Sequence, residues 1–148
     1  MSSPQTHQTH GPEQTEEFAA GLAADLAPGT TVGLVGPLGA GKTCFVRGLA
    51  RGLGIHPDEI ASPTFVYLVE YPGPTSLHHA DLYRFADLAE EHLEQTLEGI
   101  GLPEAIASTG VTAVEWWQFY RGPTPDRLVV VEFSIENVDD RSLSLTVS

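Results

Sequence analysis

Gly36-Pro37-Leu38-Gly39-Ala40-Gly41-Lys42-Thr43 is the stretch whose reading decides the fold. It fits G-x-x-x-x-G-K-[ST], the pattern of a loop that wraps a polyphosphate. Gly36, Gly39 and Gly41 admit backbone angles closed to other residues, so successive N–H groups can turn inward on an anion. Lys42 brings a point charge to the β- and γ-phosphates, and Thr43 a hydroxyl to magnesium. The helix that follows adds the partial positive charge of its N-terminus. The flanks agree. Thr31-Val32-Gly33-Leu34-Val35 reads as a buried strand. Phe45, Val46, Leu49, Ala50 and Leu53 recur at helical spacing up to a stop at Gly54. Strand, glycine loop and helix in this order point to an α/β fold.

At 148 residues the chain is one domain with room for a real core. Apolar residues make up 41% and charged residues only 18%, the balance of a globular protein. Twenty acidic against seven basic residues leave a net charge of −13. That balance argues against direct binding of nucleic-acid phosphates, which needs clustered Lys and Arg, and against an anionic membrane surface. Lys42 is the one lysine; Arg47, Arg51, Arg84, Arg121, Arg127 and Arg141 supply the remaining basic groups. A chain almost without lysine keeps one where a polyphosphate would sit. The single cysteine, Cys44, rules out an internal disulfide and a cysteine-based metal site, and reads as a small packed residue at a helix start. No apolar stretch is long enough to span a membrane and no signal-peptide pattern opens the chain, so a cytoplasmic location is expected.

Residues 1–11 read as a flexible N-terminal segment with at most a short edge strand; its His7 and His10 lack companions for a metal. Pro12 to Leu26 reads as a helix, with Glu13, Glu16 and Glu17 suited to its N-terminal dipole and Phe18, Ala19, Leu22, Ala23 and Leu26 on its apolar face. Pro28-Gly29 ends it. Phe65 to Tyr71 is a strand candidate; Pro72-Gly73-Pro74 turns the chain; Ser76 to Asp81 returns antiparallel. Thr64 falls in a loop at a strand end, where Ser62-Pro63-Thr64 is ordinary loop chemistry and also a place for a nucleotide-sensing switch. Asp87 to Glu98 and Leu102 to Ala107 read as helices, and Val111 to Glu115 as an apolar strand ending in an acid. Arg127 to Ile135 and Arg141 to Val147 alternate as two strands around an Asn137–Asp140 turn.

A phosphate-binding loop needs an acid from a neighbouring strand to hold magnesium, directly or through water. Asp81 and Glu115 both end apolar runs, and the residues alone leave the choice open. His78 and His79 point to opposite sheet faces and read as structural. Trp116 and Trp117 suit either a nucleotide base or the core.

The order Gly-Pro-Leu-Gly-Ala-Gly-Lys-Thr, Ser62-Pro63-Thr64-Phe65, His79-Ala80-Asp81-Leu82-Tyr83-Arg84, Val114-Glu115-Trp116 resembles the TsaE (YjeE-type) ATPases, over about residues 12 to 147. These are bacterial proteins required for the threonylcarbamoyladenosine modification of tRNA, on the adenosine next to the anticodon. The resemblance implies a P-loop NTPase fold, three layers with a central mixed β-sheet flanked by helices, in a single ATPase domain over residues 12–148. It implies that Gly36, Pro37, Leu38, Gly39, Ala40, Gly41, Lys42, Thr43 and Cys44 bind ATP, with Mg2+ at Thr43 and Glu115. Asp81 becomes the Walker-B-like acid needed for hydrolysis and a further candidate at the metal, Thr64 part of a nucleotide-responsive switch, and Trp116 a neighbour of the nucleotide. Implied partners are the threonylcarbamoyl transferase subunit and its inactive paralogue, of the TsaD and TsaB type, with ATP hydrolysis resetting their complex between turnovers. No direct tRNA contact is implied, and the chain alone is expected to be a monomer. Two departures stand out: Trp117 replaces a proline usual after Val-Glu-Trp, and Asp140-Arg141 replaces a common Gly-Arg pair.

Three other readings compete. A small-molecule P-loop kinase usually carries several arginines in a lid, and here they are scattered. A GTP switch needs an Asn-Lys-x-Asp motif, which a chain with Lys42 as its one lysine lacks. A non-hydrolysing nucleotide-binding scaffold has no use for acids at both Asp81 and Glu115.

Overall fold

The fold is seen in a computed structural model, which describes residues 5–61, 68–88 and 90–148. The chain runs β1 (Gln5–His10), α1 (Pro12–Ala24), β2 (Thr30–Val35), α2 (Lys42–Gly52), β3 (Leu68–Tyr71), β4 (Leu77–Asp81), α3 (Glu90–Gly99), α4 (Leu102–Ile106), β5 (Val111–Glu115), β6 (Arg127–Ile135) and β7 (Asp140–Val147). Short 3-10 turns lie at Pro57–Glu59, Tyr83–Asp87 and Trp117–Phe119. The strands form one sheet in the order β1-β7-β6-β2-β5-β4-β3. Its centre, β6-β2-β5-β4, is parallel; β7, β1 and β3 pair antiparallel at the edges.

The parallel centre explains the sequence pattern. Strands covered on both faces read as continuous apolar runs, and β5 is buried at every position. On one side of the sheet α1 and α2 pack over Val32, Leu34, Val111, Ala113, Val131 and Leu143. On the other, Leu93, Leu97 and Leu102 from α3 and α4 meet Ala80 and Val114. This is the expected three-layer α/β arrangement with a mixed sheet.

The α1–α2 pairing is unusually close. A Cβ at Gly48 would lie 2.2 Å from the Glu16 carbonyl oxygen, and one at Gly52 would lie 2.4 Å from that of Ala20. Bare glycines on α2 let the two backbones meet, which fixes α2 and the loop leading into it.

The short edge strand allowed within residues 1–11 is present: Gln5–His10 lies in register with β7, from Gln5 opposite Leu145 to His10 opposite Asp140. Its sequence is polar, and only Thr9 of the strand is buried. His7 packs on the Phe18 ring at 4.6 Å, and His10 Nδ1 lies 2.7 Å from Asp140 Oδ1. The helix expected from Asp87 begins at Glu90, with Tyr83–Asp87 taken up in a 3-10 turn. Thr64 and the first half of the Phe65–Tyr71 strand lie outside the described residues.

Candidate active site

The strand–loop–helix unit delivers the cleft. β2 ends at Val35, the loop crosses Gly36 to Gly41, and α2 starts at Lys42. Gly39 (φ +77°) and Gly41 (φ +100°) hold left-handed angles that a side chain would strain, as the motif requires. The cleft above this loop is about 360 Å3 and is walled by Gly39, Lys42, Thr43, Asp81, Glu115 and Trp116, with Leu38, Cys44 and Tyr83 at its rim. A larger cleft of about 450 Å3 opens near Pro28, Pro103 and Pro125, at the other ends of the parallel strands. Its Arg127 is engaged with the Pro28 carbonyl, and the ionisable cluster belongs to the smaller cleft.

Asp81 and Glu115 arrive together because β4 and β5 are parallel and these two residues are register partners. Both end their strands beside the start of α2. The Thr43 hydroxyl lies 3.1 and 3.0 Å from the two Glu115 oxygens and donates to the carboxylate. Asp81 sits further out, its Oδ1 accepting the Tyr83 backbone N–H at 2.9 Å. Burial pushes the Asp81 carboxyl above its ordinary value; the Tyr83 N–H opposes this, and the Glu115 charge adds to it.

Lys42 is 5% exposed. Its Nζ donates to the Gly36 carbonyl at 2.7 Å and the Pro37 carbonyl at 2.8 Å. The ammonium also lies 4.1 Å from the centre of the Trp116 ring, a cation–π contact. Burial pulls the lysine down from its ordinary value, and Glu115 and Asp81 push back. Trp116 has φ 60°, the one non-glycine residue with positive φ among the described residues. A left-handed tryptophan costs about 1–3 kcal/mol, and strain of this kind gathers at functional sites. Its ring is flanked by Tyr83 at 5.1 Å and Phe119 at 6.1 Å.

Trp117 turns away from the cleft. It stacks on Tyr120 at 4.4 Å and lies so close to Gly33 that a Cβ there would sit 2.5 Å from its ring. Cys44 is half-buried, with Sγ 3.0 Å from the Pro12 carbonyl, and burial raises its thiol. Ala40 is fully buried and Leu38 is 65% exposed, so any contact Ala40 makes with a nucleotide is through its backbone.

Sequence reading missed two residues. His79, taken as structural, is fully buried with Nε2 2.6 Å from Glu115 Oε2. The separate faces of His78 and His79 hold: His78 turns to Ser108, at 3.3 Å. Arg141 reaches the loop, its Nη2 donating to the Gly39 carbonyl at 3.2 Å while Nη1 holds the Asn137 and Asp140 carbonyls. The signal for His79 was its i, i+2 spacing to Asp81, which places both on one face of β4.

The donor set suits a hard cation: a hydroxyl and a carboxylate bound to each other at the start of the helix, with a second carboxylate on the adjacent strand. Oxygen ligands of this kind, completed by phosphate and water, are what Mg2+ takes in phosphate loops.

Residues 9–143 match the family described as "Threonylcarbamoyl adenosine biosynthesis protein TsaE". A tRNA threonylcarbamoyladenosine biosynthesis protein TsaE from Treponema pallidum (strain Nichols) is 42% identical over 136 residues, covering 92% of this chain and 94% of the relative. The protein of the same name from Bacillus subtilis (strain 168) is 36% identical over 93% of this chain and 82% of its own. The crystal structure of Bacillus subtilis YdiB superposes with a TM-score of 0.77 at 31% identity, covering 99% of this chain and 87% of that one. With the P-loop fold, the site and a match over nearly its whole length, the chain belongs to the TsaE family.

Proposed function

We propose that this chain is a magnesium-dependent ATPase of low basal rate that serves threonylcarbamoyladenosine formation on tRNA. It would act with the threonylcarbamoyl transferase subunit and that subunit's inactive paralogue, resetting their complex between turnovers. The names of its relatives support the pathway. The observation that carries the chemistry is Lys42 and Thr43 at the loop–helix junction, with Glu115 bound to the Thr43 hydroxyl.

In this reading the loop N–H groups and Lys42 take the phosphates of ATP, which replace the Gly36 and Pro37 carbonyls as acceptors for the ammonium. Thr43 and Glu115 would hold magnesium, which supplies charge neutralisation across the β- and γ-phosphates. Asp81 orients the attacking water from the outer wall of the cleft, where its raised proton affinity suits it to accept a proton. Lys42 stabilises the charge that spreads over the transferring phosphoryl group. The chain would act in the cytoplasm, as a monomer when alone, and leave tRNA contact to its partners.

The test is phosphate release from ATP by the purified chain, alone and with the cognate transferase pair. A slow rate alone, a rise with the pair, and a loss of about 100-fold or more in Lys42→Ala are expected. No rise with the pair would remove the assignment to this pathway.

A further inference from the structure

His79 is 0% exposed, on the face of β4 that carries Asp81. Its Nδ1 has no hydrogen-bond partner among the described residues, so half of the ring's polar capacity is buried unmet. An apolar side chain of similar size would fill this space without that cost. What histidine adds is one bond, Nε2 to Glu115 Oε2 at 2.6 Å. A carboxylate already receiving the Thr43 hydroxyl is an acceptor, so the network assigns the ring proton to Nε2.

Glu115 is itself 3% exposed, and its side chain has three torsions to fix. Thr43 alone lies near both oxygens and does not choose between them, at 3.1 and 3.0 Å. His79 breaks that symmetry: it ties down Oε2 and leaves Oε1 as the less engaged oxygen. We propose that His79 is a positioning residue, whose bond to Oε2 locks the Glu115 carboxylate in the orientation that receives the magnesium of a bound nucleotide. The proposal rests on the cleft being a magnesium–nucleotide site. Partners that hold a metal's carboxylate ligand commonly govern metal affinity by 10–100-fold.

The test is calorimetric titration of ADP into the full chain, with and without millimolar MgCl2, for wild type, His79→Gln, His79→Asn and His79→Leu. Glutamine carries an amide N–H to about the reach of Nε2, and asparagine only to that of Nδ1. Wild type and His79→Gln should show the larger tightening by Mg2+. In His79→Asn and His79→Leu that gain should fall about tenfold, with metal-free ADP affinity unchanged. If His79→Leu fails to fold, the glutamine–asparagine pair decides. An equal Mg2+ gain in all the variants overturns the proposal and leaves His79 a space-filler. A wild type that binds no ADP overturns the phosphate-loop reading and this proposal with it.

Discussion

Asp81 sits where its charge is unwelcome, and that has a price the free protein bears. Its folded pKa lies above the unfolded one, chiefly through burial, so the folded state binds its proton more tightly. Stability from this group is therefore greatest at low pH and declines as pH rises through the folded pKa. Asp81→Asn keeps the acceptor for the Tyr83 N–H and removes the charge. It should unfold at a higher temperature than wild type near pH 7, with the difference shrinking as pH falls toward the ordinary carboxylate range; a pH series of thermal melts checks this. The same variant should lose hydrolysis. Arg141 works through the loop backbone, where its bond to the Gly39 carbonyl holds the tip in place. Arg141→Ala should weaken ADP binding by about fivefold, the worth of roughly one hydrogen bond, by calorimetry. A variant with wild-type affinity would show that the loop keeps its shape unaided.

Among the elements, α1 and α2 are pressed together at Gly48 and Gly52, where any larger side chain meets backbone oxygen. Gly48→Val should cost about 1–3 kcal/mol in denaturant unfolding, by forcing the helices apart. It should also disturb nucleotide binding, because α2 carries Lys42 and Thr43. How far the elements were legible follows from what made them. β2, β5 and the motif helix were plain because burial on both faces writes a mostly apolar run, and because the glycine loop with its lysine has a specific structural meaning. β1 was legible only as a possible short edge strand, since its hydrogen bonds to β7 come from the backbone and its side chains are mostly exposed. His78 and His79 were read as structural on opposite sheet faces, with no partner named for either. Periodicity tells which residues share a face, but not that Glu115 of another strand will stand 2.6 Å away. That distance depends on β4 and β5 being neighbours in parallel, a pairing that joins residues far apart in the chain. Arg141 escaped for the same reason: the hairpin tip meets the loop only in three dimensions.

As a whole the molecule is acidic, with a net charge of −13, and among its described residues no helix is long and apolar enough to cross a membrane. Phosphate backbones are repelled by such a field, so titration with tRNA in a gel-retardation assay should give no retained complex at physiological salt. Retention would mean a local basic surface outweighs the total. The sheet order has a further consequence, for the protein's birth. β2, which leads into the phosphate loop, lies between β5 and β6, so both neighbours of this early strand come from the second half of the chain. While a ribosome is still making that half, β2 has nothing to pair with, and its apolar faces stand open. The cleft at the loop has its last wall residues at Glu115 and Trp116, so it cannot be complete until β5 has left the exit tunnel. Nascent chains of this protein should therefore lean on chaperones for most of their synthesis, and a nucleotide that fits this cleft could stabilise them only after β5 has emerged.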